Sequence, residues 1–157
     1  MRLIILLIAV YSSYGTCSTR NGVAKNAVPI DTLHQVVIGS GYKVIDVKNE
    51  STNKREIGVW RFDKDVCHLA LPSQDDYMGF SVNWIKKTSA GFQLSIEYGS
   101  RIYYRKDFNF YYINDHFYLT GVRTERFDKS KDEKGKTQFK SFKPPIPIEN
   151  VIITDYM

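Results

Sequence analysis

Three short motifs bring serine, lysine and asparagine together in a pattern that serves serine-nucleophile acyl transfer. Ser51-Thr52-Asn53-Lys54 fits S-x-x-K, Ser81-Val82-Asn83 fits S-x-N, and Lys87-Thr88-Ser89 resembles K-T-G. That chemistry needs the serine at the start of a buried helix with the lysine one turn on. Residues 49–55 read instead as a polar loop, and the third motif follows the second too closely for a fold to come between them. The match is therefore read as coincidence of short patterns without their context. No catalytic residues are assigned.

The other reactive side chains fare no better. His34, His68 and His116 are far from the close spacing of metal ligands. Asp128, Ser130 and Asp132 echo a calcium loop, but Gly135 stands at the eighth place rather than the sixth and the closing glutamate is missing. A solvated charged loop explains the run. Asp75-Asp76 is a carboxylate pair with no acid–base partner in view. Asn49-Glu50-Ser51 is a glycosylation sequon that matters only in a eukaryotic secretory route. Neither a metal nor a cofactor is expected.

The N-terminus reads as an address. Arg2 precedes an unbroken apolar run over residues 3–10, followed by small and polar residues to Gly15. Such a run is too short for a bilayer core, which needs about 20 residues, and fits a secretory signal with cleavage after Gly15. A periplasmic or secreted mature protein with no membrane span is expected. Lipid anchoring at Cys17 is disfavoured, because Tyr14-Gly15-Thr16 is a poor lipobox. Cys17 and Cys67 are the two cysteines of the chain. In an oxidising compartment they either form a bridge or leave Cys67 as a buried strand thiol. The formal charge is +5, and loss of residues 1–15 removes only Arg2. The modest positive excess favours acidic partners or anionic envelope surfaces, and the scattered placement of the basic residues argues against nucleic acid.

These side chains must be carried by sheet. The hydrophobic share is 43% and the aromatic share 14%, enough for one β-rich core. Residues 16–28 are a polar lead-in, and residues 29–157 form one domain. Over residues 29–38 a capping Asp31 and a β-branched end leave helix and strand both open. Strands are predicted at 42–47, 56–62, 66–71, 77–85, 92–98, 101–112, 116–124, 137–142 and 148–154. The clearest signal is in Phe92, Leu94, Ile96 and Tyr98, which alternate with polar residues. In the next strand Ile102, Tyr104, Phe108, Phe110 and Tyr112 share one face, interrupted by Lys106 at a bulge or sheet edge. Asn114-Asp115 marks the turn that returns it, since both tolerate left-handed backbone. The class is mostly β: an antiparallel meander, sandwich or small half-barrel, with at most one short helix near residues 31–37.

Arg101, Tyr103, Arg105 and Tyr111 take the opposite face of that long strand, with Tyr118 placed to stand across from them. Tyrosine and arginine often anchor interfaces. The competing reading buries both faces and makes the tyrosines ordinary core.

Residues 91–128 resemble the C-terminal part of small exported bacterial proteins of unknown function. The shared pattern is a glycine turn, a long aromatic strand, then Phe117-Tyr118-Leu119-Thr120-Gly121 and Phe127-Asp128. The resemblance implies a structural hairpin and transfers no activity. The upstream Asp-rich repeats of such proteins survive only as the fragment Trp60-Arg61-Phe62-Asp63-Lys64-Asp65, which speaks against a propeller-type calcium role. The leading expectation is a non-enzymatic exported binding protein, an inhibitor or immunity protein against a toxin or envelope enzyme. A small envelope hydrolase using Ser51 or Asp76, and a passive envelope component, are the alternatives.

Overall fold

A computed structural model describes residues 27–29, 35–39, 41–49, 54–62, 64–131 and 135–157. The segment read as a secretory signal, Cys17, His34, Ser51 and Asp132 lie outside these residues, and so do the expectations that rest on them.

The chain folds into two antiparallel sheets. The first contains β1 (Ala27–Pro29), β2 (Gln35–Ile38), β3 (Tyr42–Asn49), β4 (Lys54–Arg61) and β5 (Lys64–Ala70). Here β3 pairs along its length with β4, while β1 and β2 share its other edge. Residues 35–38, left open between helix and strand, are thus strand. Their β-branched run Val36-Val37-Ile38 suits pleated backbone better than a helical turn. Residues 27–28, read as lead-in, already pair with β3.

The second sheet is a meander in chain order: β6 (Ser81–Lys87), β7 (Gly91–Gly99), β8 (Ile102–Ile113), β9 (His116–Asp128) and β10 (Lys136–Pro147). Its inner side chains meet those of the first sheet in one core, with Val44, Ile57, Val59 and Leu69 facing Phe92, Leu94, Ile96, Phe108 and Phe110. Phe92 and Phe110 stack at 4.6 Å, and both Phe92 and Tyr42 meet Phe117 edge-on. The Tyr42 hydroxyl donates to the Asp115 carbonyl at 3.2 Å, tying the first sheet to the β8–β9 turn. Asn114 and Asp115 both have positive φ, as that turn requires.

Several expectations are corrected. The strand predicted over 77–85 begins at Ser81, because Tyr77 and Phe80 bond back within a turn. The closing strand predicted over 148–154 is instead two 3-10 turns, Ile148–Asn150 and Ile153–Tyr156. Ile148, Val151 and Ile153 are buried while Ile152 is 58% exposed, a spacing that no strand can present to one face. The first turn touches both β5 and β9, and His116 Nε2 lies 2.7 Å from Glu149 Oε2. The tail therefore closes an end of the sandwich. In β10, expected only to 142, pairing breaks after Ser141 and resumes at Ile146, so Pro144 and Pro145 fall in the irregular stretch. Lys106 sits at neither bulge nor edge. It lies in regular register on the central strand, and the β8–β9 bulge falls at Thr120, whose hydroxyl donates to the Asn109 carbonyl at 3.1 Å.

Tyr98 packs between Tyr104 at 5.2 Å and Tyr77 at 5.5 Å. Burial, then these two neighbours, push its phenol up to about 12. A phenol held protonated by the fold stabilises fully below the unfolded tyrosine value near 10 and loses that contribution as pH rises through about 12. Urea midpoints measured upward from about pH 9 should fall across this window. Tyr98→Phe should flatten part of the decline; an unchanged slope would remove the phenol from the account.

Candidate functional site

The outward face of the second sheet gathers most of the sequence-predicted partner residues. Alternation along β8 sends Tyr103, Arg105, Asp107, Asn109 and Tyr111 away from the core, opposite Phe108 and Phe110. Tyr111 pairs directly with Tyr118 on β9, so both rings stand on this face. None of Tyr103, Tyr111 and Tyr118 belongs to the buried core cluster. Their distribution is uneven. Tyr103 and Tyr111 are eight positions apart on one strand, about 27 Å at ordinary strand rise, so they mark opposite ends of the face.

Between the ends lies a polar network. Arg105 Nε donates to Glu97 Oε1 at 2.9 Å, and Nη1 reaches Glu125 Oε2 at 3.4 Å. Asn83 Nδ2 donates to the same Glu97 oxygen at 2.9 Å, and Arg123 donates to Glu125. The hydrogen bond from Arg105 to Glu97 comes first among the causes that hold the guanidinium proton more firmly than usual. Beside it, Ser95 Oγ donates to Asp107 at 2.7 Å with both residues buried, and Gln93 Nε2 donates to Asn109 Oδ1 at 2.7 Å. These contacts cross four strands and leave the guanidinium and carboxylate groups of the central rows paired with one another. Such groups keep their geometry without a ligand, because each holds its neighbour in place.

Aromatic rings border the network. At one end Tyr103 lies across from Phe127, with the Lys129 ammonium 4.9 Å from the tyrosine ring. Arg101 stands beyond, 75% exposed along its side chain, near Ser130 and Asp128. At the other end Tyr111 is 45% exposed, and His116 meets Tyr118 edge-on at 5.1 Å. Phe139 of β10, 64% exposed, leans over Gly121. A side chain at Gly121 would put its first carbon 2.6 Å from the Phe139 ring, so this glycine gives the ring its seat. Tyr111 and Tyr118 thus stand side by side at this end of the face, while Phe139 lies over Gly121 nearer its middle, in the row of Arg123.

Phe139, Glu97, Glu125 and Arg123 escaped the sequence reading. Face assignment needs only alternation, whereas pairing Glu97 with Arg105 needs the register, and the β7–β8 connection decides that. In that connection Gly99 has φ +111 and faces the Ile102 carbonyl, which restricts the position to glycine.

The remaining flagged residues have structural work. Asp76 accepts from Ser73 N and Oγ at 3.0 and 2.8 Å, which lowers its carboxyl below the ordinary value. Asp128 is lowered in the same way by Ser130 Oγ and N. His68, on β5, lies 2.9 Å from Asp65 through Nε2, and its Nδ1 is 3.1 Å from Glu56 without hydrogen-bond alignment. Cys67 is buried on the same strand. Among the described residues no group of three His, Cys, Asp or Glu side chains is placed to hold a metal, and no helix is long and apolar enough to cross a membrane.

Compared with known protein families, curated proteins and solved structures, the chain matches none.

Proposed function

We propose that the protein is an exported, non-enzymatic binding protein that docks another protein on the outward face of the second sheet. Its partner would be a toxin or an envelope enzyme that it inhibits or neutralises. The observation that carries this reading is that the paired Tyr111 and Tyr118 and the exposed Phe139 share one sheet face with the Arg105–Glu97–Glu125 network. Rigid aromatic rings bring wide contact area with little conformational entropy to lose. The neighbouring charges already satisfy one another, so a partner that covers them strands no lone ion.

The test is native capture from envelope extract on the immobilised mature chain, run beside a Tyr111→Ala/Tyr118→Ala variant. A stoichiometric protein should be retained by the parent and released from the variant. Each truncation should weaken binding by about 2 kcal/mol, roughly 30-fold. Circular dichroism should be unchanged. Absence of a stoichiometric partner, or equal capture by the variant, would overturn the assignment of this face.

A further inference from the structure

The inner face of the second sheet carries a cation where the core pattern calls for an apolar side chain. Lys106 is on the central strand, on the same face as Phe108 and Phe110, in register between Ile96, which is fully buried, and the half-buried Thr124. Its ammonium is 3.3 Å from Thr124 Oγ1. Among the described residues no carboxylate lies within ion-pair distance of it. The side chain opens into a cavity of about 270 Å³ between β8–β10 and the C-terminal 3-10 turn. Lys140 and Gln138 stand on the sheet side of that space, and Asp155 and Tyr156 on the other. Tyr156 packs edge-on against Phe108 and Phe142, which fixes that wall to the core.

We infer that this cavity binds a small oxyanion-bearing ligand, with the Lys106 ammonium as its main charge partner and the Thr124 hydroxyl and Lys140 as supporting donors. A half-buried cation without a counter-charge is unfavourable, and an anion delivered to it restores the missing interaction. Burial lowers the Lys106 ammonium below its ordinary value. The cavity is smaller than the range of about 300–1,000 Å³ typical of drug-sized ligands, which favours a compact species. The chemistry is shared by carboxylates and phosphoryl groups. Phe139 at the sheet edge also borders the cavity, but Lys106 and Thr124 lie on the face opposite Tyr111 and Tyr118, and the inference does not depend on the docking reading.

The test is isothermal titration of the full mature chain with inorganic phosphate and, separately, with succinate. At least one should bind at a single site and raise the melting temperature in proportion to its saturation. Lys106→Met should weaken that binding by about tenfold or more, since a hydrogen bond to a charged group is lost. Lys64→Met, on the distant β4–β5 hairpin, should leave it unchanged. Thr124→Val should also weaken it, and carries the test if the lysine variant fails to fold. Binding of phosphate alone assigns a phosphoryl ligand, and binding of succinate alone assigns a carboxylate. No saturable binding of either anion, or binding undiminished in both cavity variants, would overturn the inference.

Discussion

Replacing Phe110 by alanine is expected to remove about 3–5 kcal/mol of folding stability, the range for truncating a buried phenylalanine. Phe110 is fully buried on the central strand, stacked on Phe92, which in turn meets Phe117. Tyr42 of the opposite sheet closes on the same Phe117 ring. The lost ring would empty space at the contact between sheets, where rigid pleated backbone on both sides cannot close in. Domains of this size have roughly 5–15 kcal/mol in total, so the variant should approach the unfolding threshold. Urea titration with intrinsic fluorescence reads the change. Phe110→Leu should lose much less, because it keeps most of the volume. Equal losses would show that ring geometry rather than volume governs this position.

The second large effect is expected at Arg55. Asp46 is wholly buried on β3, yet it carries a carboxylate that accepts from Arg55 Nε at 2.7 Å and again from the guanidinium terminus. Removing the arginine with Arg55→Met leaves a buried acid without its bidentate partner. The expected loss is about 3 kcal/mol, the low end for breaking a buried pair. The low end applies because the Arg55 side chain remains 30% exposed and admits water to the site. The double variant Asp46→Leu/Arg55→Met should recover much of that loss, since a well-packed apolar pair needs no counter-charge. A double-mutant cycle by urea denaturation measures the coupling directly. If the double variant is less stable than Arg55→Met alone, Asp46 contributes through contacts other than this ion pair.

The two faces of the second sheet divide the chemistry of the molecule. On the outer face the central charges pair with one another and aromatic rings are exposed; on the inner face Lys106 opens into a small cavity with no carboxylate in ion-pair distance among the described residues. The division follows from β8 being central in the sheet. Its odd-numbered residues from Tyr103 to Tyr111 can only face outward and its even-numbered ones only inward. A one-residue slip of β8 against β7 would exchange the two sets, setting Arg105 in the core and Phe108 in water. The cost of that exchange adds to the geometry of the β7–β8 connection in fixing the register.

Much of the fold was legible along the chain. Alternation at Phe92, Leu94 and Ile96 and the turn pair Asn114-Asp115 are local signals, and they led to β7, β8 and β9 with their faces assigned. Less was legible at the ends. Residues 148–154 are apolar enough for a strand, but they fold as turns because buried space at the end of the sandwich accepts Ile148, Val151 and Ile153. Lys106 looked like an interruption and proved to be an inward cation. Its neighbours in space, Thr124, Lys140 and Tyr156, come from three distant segments.

Sequence alone therefore determined the β class, the long hairpin, and which of Tyr103, Arg105 and Tyr111 share a face, because side-chain direction in a strand depends only on parity. Tertiary structure decided which charges meet, where Phe139 lies, and what surrounds Lys106. Those contacts depend on strand register and sheet stacking, which are settled by packing between residues far apart in the chain.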